Sequence, residues 1–149
     1  MQQDKAPFKI QLLDQITLPP NQLGLLLIDH GSVRDESNQM LLEVVRRFTE
    51  ASGLPIVEPA HMELAEPSIA TAFARCVEQG ATLVVVLPYL LSPGRHWNED
   101  IPRLAAEAAS LYPGVRHLVA APLGLHPLVL QVIDERVAAT LGRQHEAGR

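Results

Sequence analysis

The feature that most restricts how this chain can fold is a repeated alternation of short aliphatic runs with longer segments of helical period. LGLLLID (Leu23 to Asp29), LPIVEPAHMEL (Leu54 to Leu64), ATLVVVLPYL (Ala81 to Leu90) and GVRHLVAAP (Gly114 to Pro122) have the composition of strands buried on both faces. Asn38 to Ser52, Pro67 to Gln79, Asn98 to Leu111 and Pro127 to Leu141 instead place apolar residues at helical spacing, as in Met40, Leu41, Val44, Val45 and Phe48. Gly53, Gly80 and Gly142 follow three of these segments, where a left-handed C-terminal cap is favoured. A regular series of this kind packs as a parallel sheet with helices on both faces, because each crossover between parallel strands needs a covering element. The expected class is α/β, with a parallel sheet of about four strands. Ligands bind such open sheets at the carboxyl ends of strands, near a switch in strand order. The loops after the first three strands are therefore where function should lie.

A length of 149 residues suits one domain that buries its own core. Residues 1–22, broken by Pro19-Pro20, read as an N-terminal extension, residues 23–141 as the domain, and residues 142–149 as a polar C-terminal tail. The single cysteine, Cys76, excludes an internal disulfide, and no signal-peptide core or membrane-spanning apolar run is present, so the expected compartment is the cytoplasm. A formal charge of -5, with no basic cluster larger than Arg46-Arg47, argues against nucleic acid as a partner.

The loop after the first strand runs Asp29-His30-Gly31-Ser32-Val33-Arg34-Asp35-Glu36-Ser37-Asn38. His30 stands at its mouth, Gly31 and Ser32 allow close backbone approach to a ligand, and Ser37 or Asn38 can cap the next helix. The loop after the third strand runs Ser92-Pro93-Gly94-Arg95-His96-Trp97-Asn98-Glu99-Asp100 and supplies a second histidine. Arg95 can grip a carboxylate bidentately, Trp97 offers a flat apolar face, and Glu99-Asp100 suit the first turn of a helix. His61 and Glu63, two apart near the end of the second strand, would share a face of an extended chain. Either a ligand pair or a hydrogen-bonded structural pair accounts for them. Three strand ends thus converge on His30, Glu63 with help from His61, and His96, an N/O set suited to transient binding of a first-row divalent metal. No cysteine pair or HExxH spacing supports a closed zinc site. His117 and His145 go to structure or solvent, His126 either caps a helix or lines the cleft, and Cys76 reads as a packed apolar group.

Several motifs fit one known family: DHGS at 29–32 with ESN at 36–38, VEPAHMELAEPS at 57–68, LP at 87–88 with PGRHWNEDIP at 93–102, and APLG at 121–124. Together they resemble the short CbiX/SirB class II tetrapyrrole chelatases, most closely the sirohydrochlorin ferrochelatases of plants and cyanobacteria. The resemblance runs from Leu23 to about Val137. It implies a flavodoxin-like chelatase fold, a homodimer standing in for the two halves of longer relatives, and insertion of a divalent metal into sirohydrochlorin. The product would feed sirohaem or cobalamin synthesis. The metal, Fe²⁺, Co²⁺ or Ni²⁺, is substrate, and no tightly bound cofactor is expected. The family's functional histidines map onto His30 and His96, and its acidic partner onto Glu63. Plant members carry a cysteine-bearing C-terminal extension for an iron-sulfur cluster; this sequence has none, so no such cluster is expected. Asp29 and Val33 stand where many relatives have glycine and a basic residue, a difference that bears on metal or substrate preference.

Metallation removes pyrrole protons and exchanges the metal's waters for ring nitrogens. Imidazoles suit both tasks near neutral pH, so His30 and His96 are expected to accept protons or hand over the metal, with Glu63 coordinating or receiving protons. Arg95, Arg34 and the Gly31-Ser32 backbone would meet the carboxylates of the macrocycle. Two rivals remain: a noncatalytic metal or tetrapyrrole carrier on the same site, and a histidine phosphatase. The second normally needs an arginine before its histidine, where Asp29 would repel phosphate.

Overall fold

In the computed structural model, which describes residues 12–92 and 94–148 and their side chains except at 95–97 and 145–147, four parallel strands form one sheet. These are β1 (Leu23–Asp29), β2 (Val57–His61), β3 (Leu83–Pro88) and β4 (Arg116–Val119), in the order β2-β1-β3-β4. Helices α1 (Leu12–Gln15), α2 (Asp35–Ser52), α3 (Ile69–Glu78), α4 (Arg95–Ala109) and α5 (Pro127–Ala147) complete the element order of the described residues, with a 3-10 turn at Pro20–Gln22. The chain steps outward from β1 to β2, then crosses back over β1 to β3. The switch point of this flavodoxin-type order lies between β1 and β3.

Six consecutive buried residues in β1 follow from its central position, because each face needs its own apolar set. Leu26 and Ile28 join Val84, Val86 and Phe73 in the cluster beneath α3 and α4. Leu23, Leu25 and Leu27 join Leu41 and Val45 of α2 on the other face. Cys76 is fully buried in the first cluster, and burial, with a smaller contribution from the charge of Glu58, pushes its thiol up to about 12. It is a packing residue, not a nucleophile.

The structure corrects several expectations. Leu12, Ile16 and Leu18 pack against the α2-side cluster, so the region read as an N-terminal extension contributes to the body from residue 12 onward. The neighbouring prolines and polar residues mask the spacing of those three aliphatics. Gly53 (φ 73) ends α2 in a left-handed cap, and Gly80 (φ 108) follows α3, but Gly142 lies inside α5, which continues to Ala147 through the stretch read as a tail. α2 begins at Asp35, so Ser37 and Asn38 lie within its first turns instead of capping it. α4 begins at Arg95 after Gly94, which moves Arg95 and His96 from a loop into a helical first turn and leaves Glu99 and Asp100 a turn further in. β4 is an edge strand that is exposed over most of its length, not buried on both faces. Among the described residues no helix is long and apolar enough to cross a membrane.

Candidate functional site

The ladder between β1 and β2 continues past the strands themselves. Met62 N–H donates to Asp29 O at 2.9 Å and Glu63 N–H to His30 O at 3.2 Å, lacing the two loops together. Gly31 makes this contact possible: its φ is +89, and a Cβ built there would collide with Glu63 O. Leu64, at φ 70, then turns the chain away. Lacing sets two side chains against each other, with His30 Nε2 3.3 Å from Glu63 Oε1 and both about half exposed at the carboxyl edge of the sheet.

Directly beneath them, His61 Nδ1 donates to Asp29 Oδ1 at 2.5 Å, with the histidine only 2% exposed. His61 and Glu63 therefore do not share a face. β2 ends at His61, which turns into the protein, and Glu63 lies in the bend beyond, facing outward. On the other side of the edge, Tyr89 N–H donates to Ile28 O at 2.7 Å, and Leu123 N–H to Leu90 O at 3.0 Å. The loops after β3 and β4 are thus laced as well. A cavity of about 340 Å³ lined by Pro88, Asn98, Pro102, Val119, Ala121 and Pro122 opens between them beside the start of α4.

Ser32 shapes its loop more than it faces a ligand. Its N–H donates to Asn38 Oδ1 at 3.0 Å, Asn38 Nδ2 donates to Ser32 O at 2.8 Å, and its hydroxyl oxygen accepts from Arg34 N–H at 3.0 Å. The Ser32 N–H expected to meet ligand carboxylates is consumed, and the hydroxyl hydrogen is the group it can turn outward. Arg34 is exposed at the start of α2. Backbone geometry puts Arg95 and His96 at the start of α4, at the end of β3 that adjoins β1; their side chains lie outside the described residues, as do those of Trp97 and His145. His126 caps α5, its Nδ1 accepting from Leu128 N–H at 3.2 Å, and His117 sits within β4. Among the described residues no group of three or more His, Cys, Asp or Glu side chains is arranged to hold a metal ion.

Two features escape a reading of the sequence. One is Asp29, whose role depends on its register opposite His61. The other is apolar: Val33, Leu64, Leu91 and Leu125, one in each of the four loops at the carboxyl edge, are all exposed. Large aliphatics spaced singly among polar loop residues give no periodic signal.

An open parallel sheet with a histidine–carboxylate pair on the loops that leave β1 and β2, beside the switch point, has the architecture in which α/β proteins bind ligands at strand ends. The chain belongs to the CbiX family, which it matches over residues 24–140. It is 58% identical to the chloroplastic sirohydrochlorin ferrochelatase of Arabidopsis thaliana over 76% of this chain and 51% of that protein. It is 31% identical to the sirohydrochlorin cobaltochelatase of Sulfolobus acidocaldarius over 80% of this chain and 93% of that one. The fold superposes with a TM-score of 0.74 on the sirohydrochlorin chelatase SirB from Bacillus subtilis subspecies spizizenii in complex with cobalt, at 33% identity over 79% of this chain and 50% of SirB. This chain thus spans about half the length of the Arabidopsis and Bacillus proteins and nearly all of the Sulfolobus one.

Proposed function

We propose that the chain is a sirohydrochlorin chelatase that inserts Fe²⁺ or Co²⁺ into the macrocycle, using His30, His96 and Glu63, in sirohaem or cobalamin synthesis. The 3.3 Å gap between His30 Nε2 and Glu63 Oε1 carries the reading. It is longer than the roughly 2.7–2.9 Å of a strong charge-assisted hydrogen bond. It falls in the range of about 3.0–3.4 Å that separates two ligands of one ion at bond lengths near 2.1 Å. The pair is half exposed, so a cation could enter from solvent, be held weakly, and leave. With His96 brought up at the start of α4, imidazoles on neighbouring strand ends would accept the pyrrole protons while the metal changes ligands.

The metal is substrate in this scheme, and no resident cofactor takes part. Val33, Leu64, Leu91 and Leu125 offer apolar contact to the macrocycle face, while Arg34, Arg95 and the Ser32 hydroxyl would meet its carboxylates. Unpaired Cys76 fits a reducing compartment such as the cytoplasm.

The working unit in this reading is a homodimer. Relatives named for chelation of sirohydrochlorin include one of which this chain spans nearly the whole length and others of which it spans about half. In α5, Leu128, Leu130, Val132, Ile133, Val137 and Leu141 are each at least half exposed. Register places Leu118 of β4 beside Val85 of β3 on the α2 side, and Leu118 is also exposed. A second copy's α5 is the occupant that fits this face.

Anaerobic mixing with sirohydrochlorin and Fe²⁺, Co²⁺ or Ni²⁺, followed by absorbance, tests the activity. Metallation well above the spontaneous rate is expected. Stoichiometric binding without turnover would point to a carrier instead.

A further inference from the structure

The buried contact beneath the His30–Glu63 pair involves neither of those side chains. Asp29 and His61 are register partners, the last residues of β1 and β2, and their side-chain hydrogen bond is the final rung before the two loops begin. His61 is also held by its backbone, its N–H donating to Pro67 O at 2.8 Å, and Asp29 O accepts the first loop bond from Met62. A hypothetical Cβ on Gly31 would lie 3.1 Å from His61 Cβ, so the imidazole also underlies the point where the loops touch. His30 follows Asp29 directly, and Glu63 lies two residues after His61. Any relative movement of the strand ends is therefore transmitted to the 3.3 Å gap above. A gap that must accept a cation from both sides tolerates little error, and loosening its support by even about 1 Å is damaging.

We propose that Asp29 and His61 are positioning residues that set the spacing of His30 and Glu63 for the metal. This rests on the chelatase reading of that pair. A purely structural role would show as lost stability alone, because removing Asp29 strands a buried imidazole N–H. A positioning role would also show in metal affinity and in turnover, and should be rescued by any variant that restores the bond.

The test compares the parent with Asp29→Ala, Asp29→Asn, His61→Asn and the double variant Asp29→Ala/His61→Leu, each checked by circular dichroism. In Asp29→Asn the side-chain amide oxygen can still accept from His61, and in His61→Asn the side-chain amide nitrogen can still donate to Asp29. The double variant removes both polar partners and so keeps the fold testable if Asp29→Ala unfolds. Measurements are Co²⁺ affinity by visible absorption, and kcat and KM for sirohydrochlorin metallation. Loss of the bond is expected to lower Co²⁺ affinity and kcat by about 10- to 100-fold. KM for sirohydrochlorin should stay within about twofold, because the macrocycle is bound by other walls. The two asparagine variants should recover most of both quantities. Folded Asp29→Ala or double variants with Co²⁺ affinity and kcat close to the parent would overturn the proposal, as would asparagine variants as impaired as the alanine one. If the parent itself fails to metallate sirohydrochlorin, the chelatase reading fails separately, and the Co²⁺ affinities still decide whether the bond positions the pair.

Discussion

The β2–β1 half of the molecule and the β4–α5 edge are built from similar aliphatic residues and end in opposite states. β1 is covered on both faces by its own chain, and its loop is laced to that of β2 so tightly that only glycine fits at position 31. β4 is mostly exposed, and α5 turns leucines, valines and isoleucine to solvent along its length. Burial thus follows the layers available in space, not the apolar content of a segment. In the chelatase reading, the laced half holds a metal between two side chains because the lacing fixes their spacing. The bare edge has the chemistry of a surface that is completed by another molecule.

This division is broken most directly at His30. His30→Ala should lower kcat for metallation by about 100-fold or more, the range expected when an acid–base or transfer group is lost. Its circular dichroism and oligomeric state should match the parent, since the side chain is half exposed and carries no core packing. A variant retaining most of its turnover would remove His30 from the chemistry and leave the laced edge without a function.

The opposite separation is expected on α5. Leu130→Glu with Ile133→Glu should convert a dimer to a monomer, raising the dissociation constant by about 30-fold or more, as for central apolar contacts at an interface. Sedimentation velocity over a concentration series reads this directly. Monomer fold should survive, because both side chains are more than half exposed within one chain. A parent that is monomeric at every concentration would end the homodimer reading, and loss of the monomer fold in the variant would show that α5 packs back on its own sheet.

How much of this was legible in the sequence follows the same division. The span of β1, Leu23 to Asp29, is visible because a strand covered on both sides must be continuously apolar. The meeting of His30 with Glu63 is legible in outline, since residues at neighbouring strand ends converge in any parallel sheet. The Asp29–His61 bond is not, because it depends on register between positions 32 apart in sequence. The start of α2 is misread because Asn38 resembles a cap, whereas its amide reaches back across the loop to Ser32. α5 is legible as a helix from its period, but period says nothing about what covers it. Gly142 looks like a stop only because a glycine after a helical run usually is one.

If apolar cover, and not surface charge, separates the two halves, the charged network on the outer face of α2 should matter little. Glu43 accepts from Arg46 at 2.6 Å and from Arg47 at 2.9 Å, and Arg46 also donates to Glu50 at 2.7 Å. Hydrogen bonds from Arg46 first and Arg47 second lower the Glu43 carboxyl from 4.5 to about 2. Since the folded value lies below the ordinary one, any stabilisation is complete above about pH 4.5 and is lost as pH falls toward 2. All these groups are solvent-exposed, where water and salt screen the attraction. Glu43→Gln should therefore lower Tm by less than about 2 °C at pH 7. The difference should fade in about 1 M salt, where screening acts within about 3 Å, and as the pH is brought down toward 2. A large, salt-resistant loss of Tm would mean that charge on α2 helps hold the β2–β1 half together, and apolar cover alone would no longer explain why that half is closed and the β4–α5 edge is open.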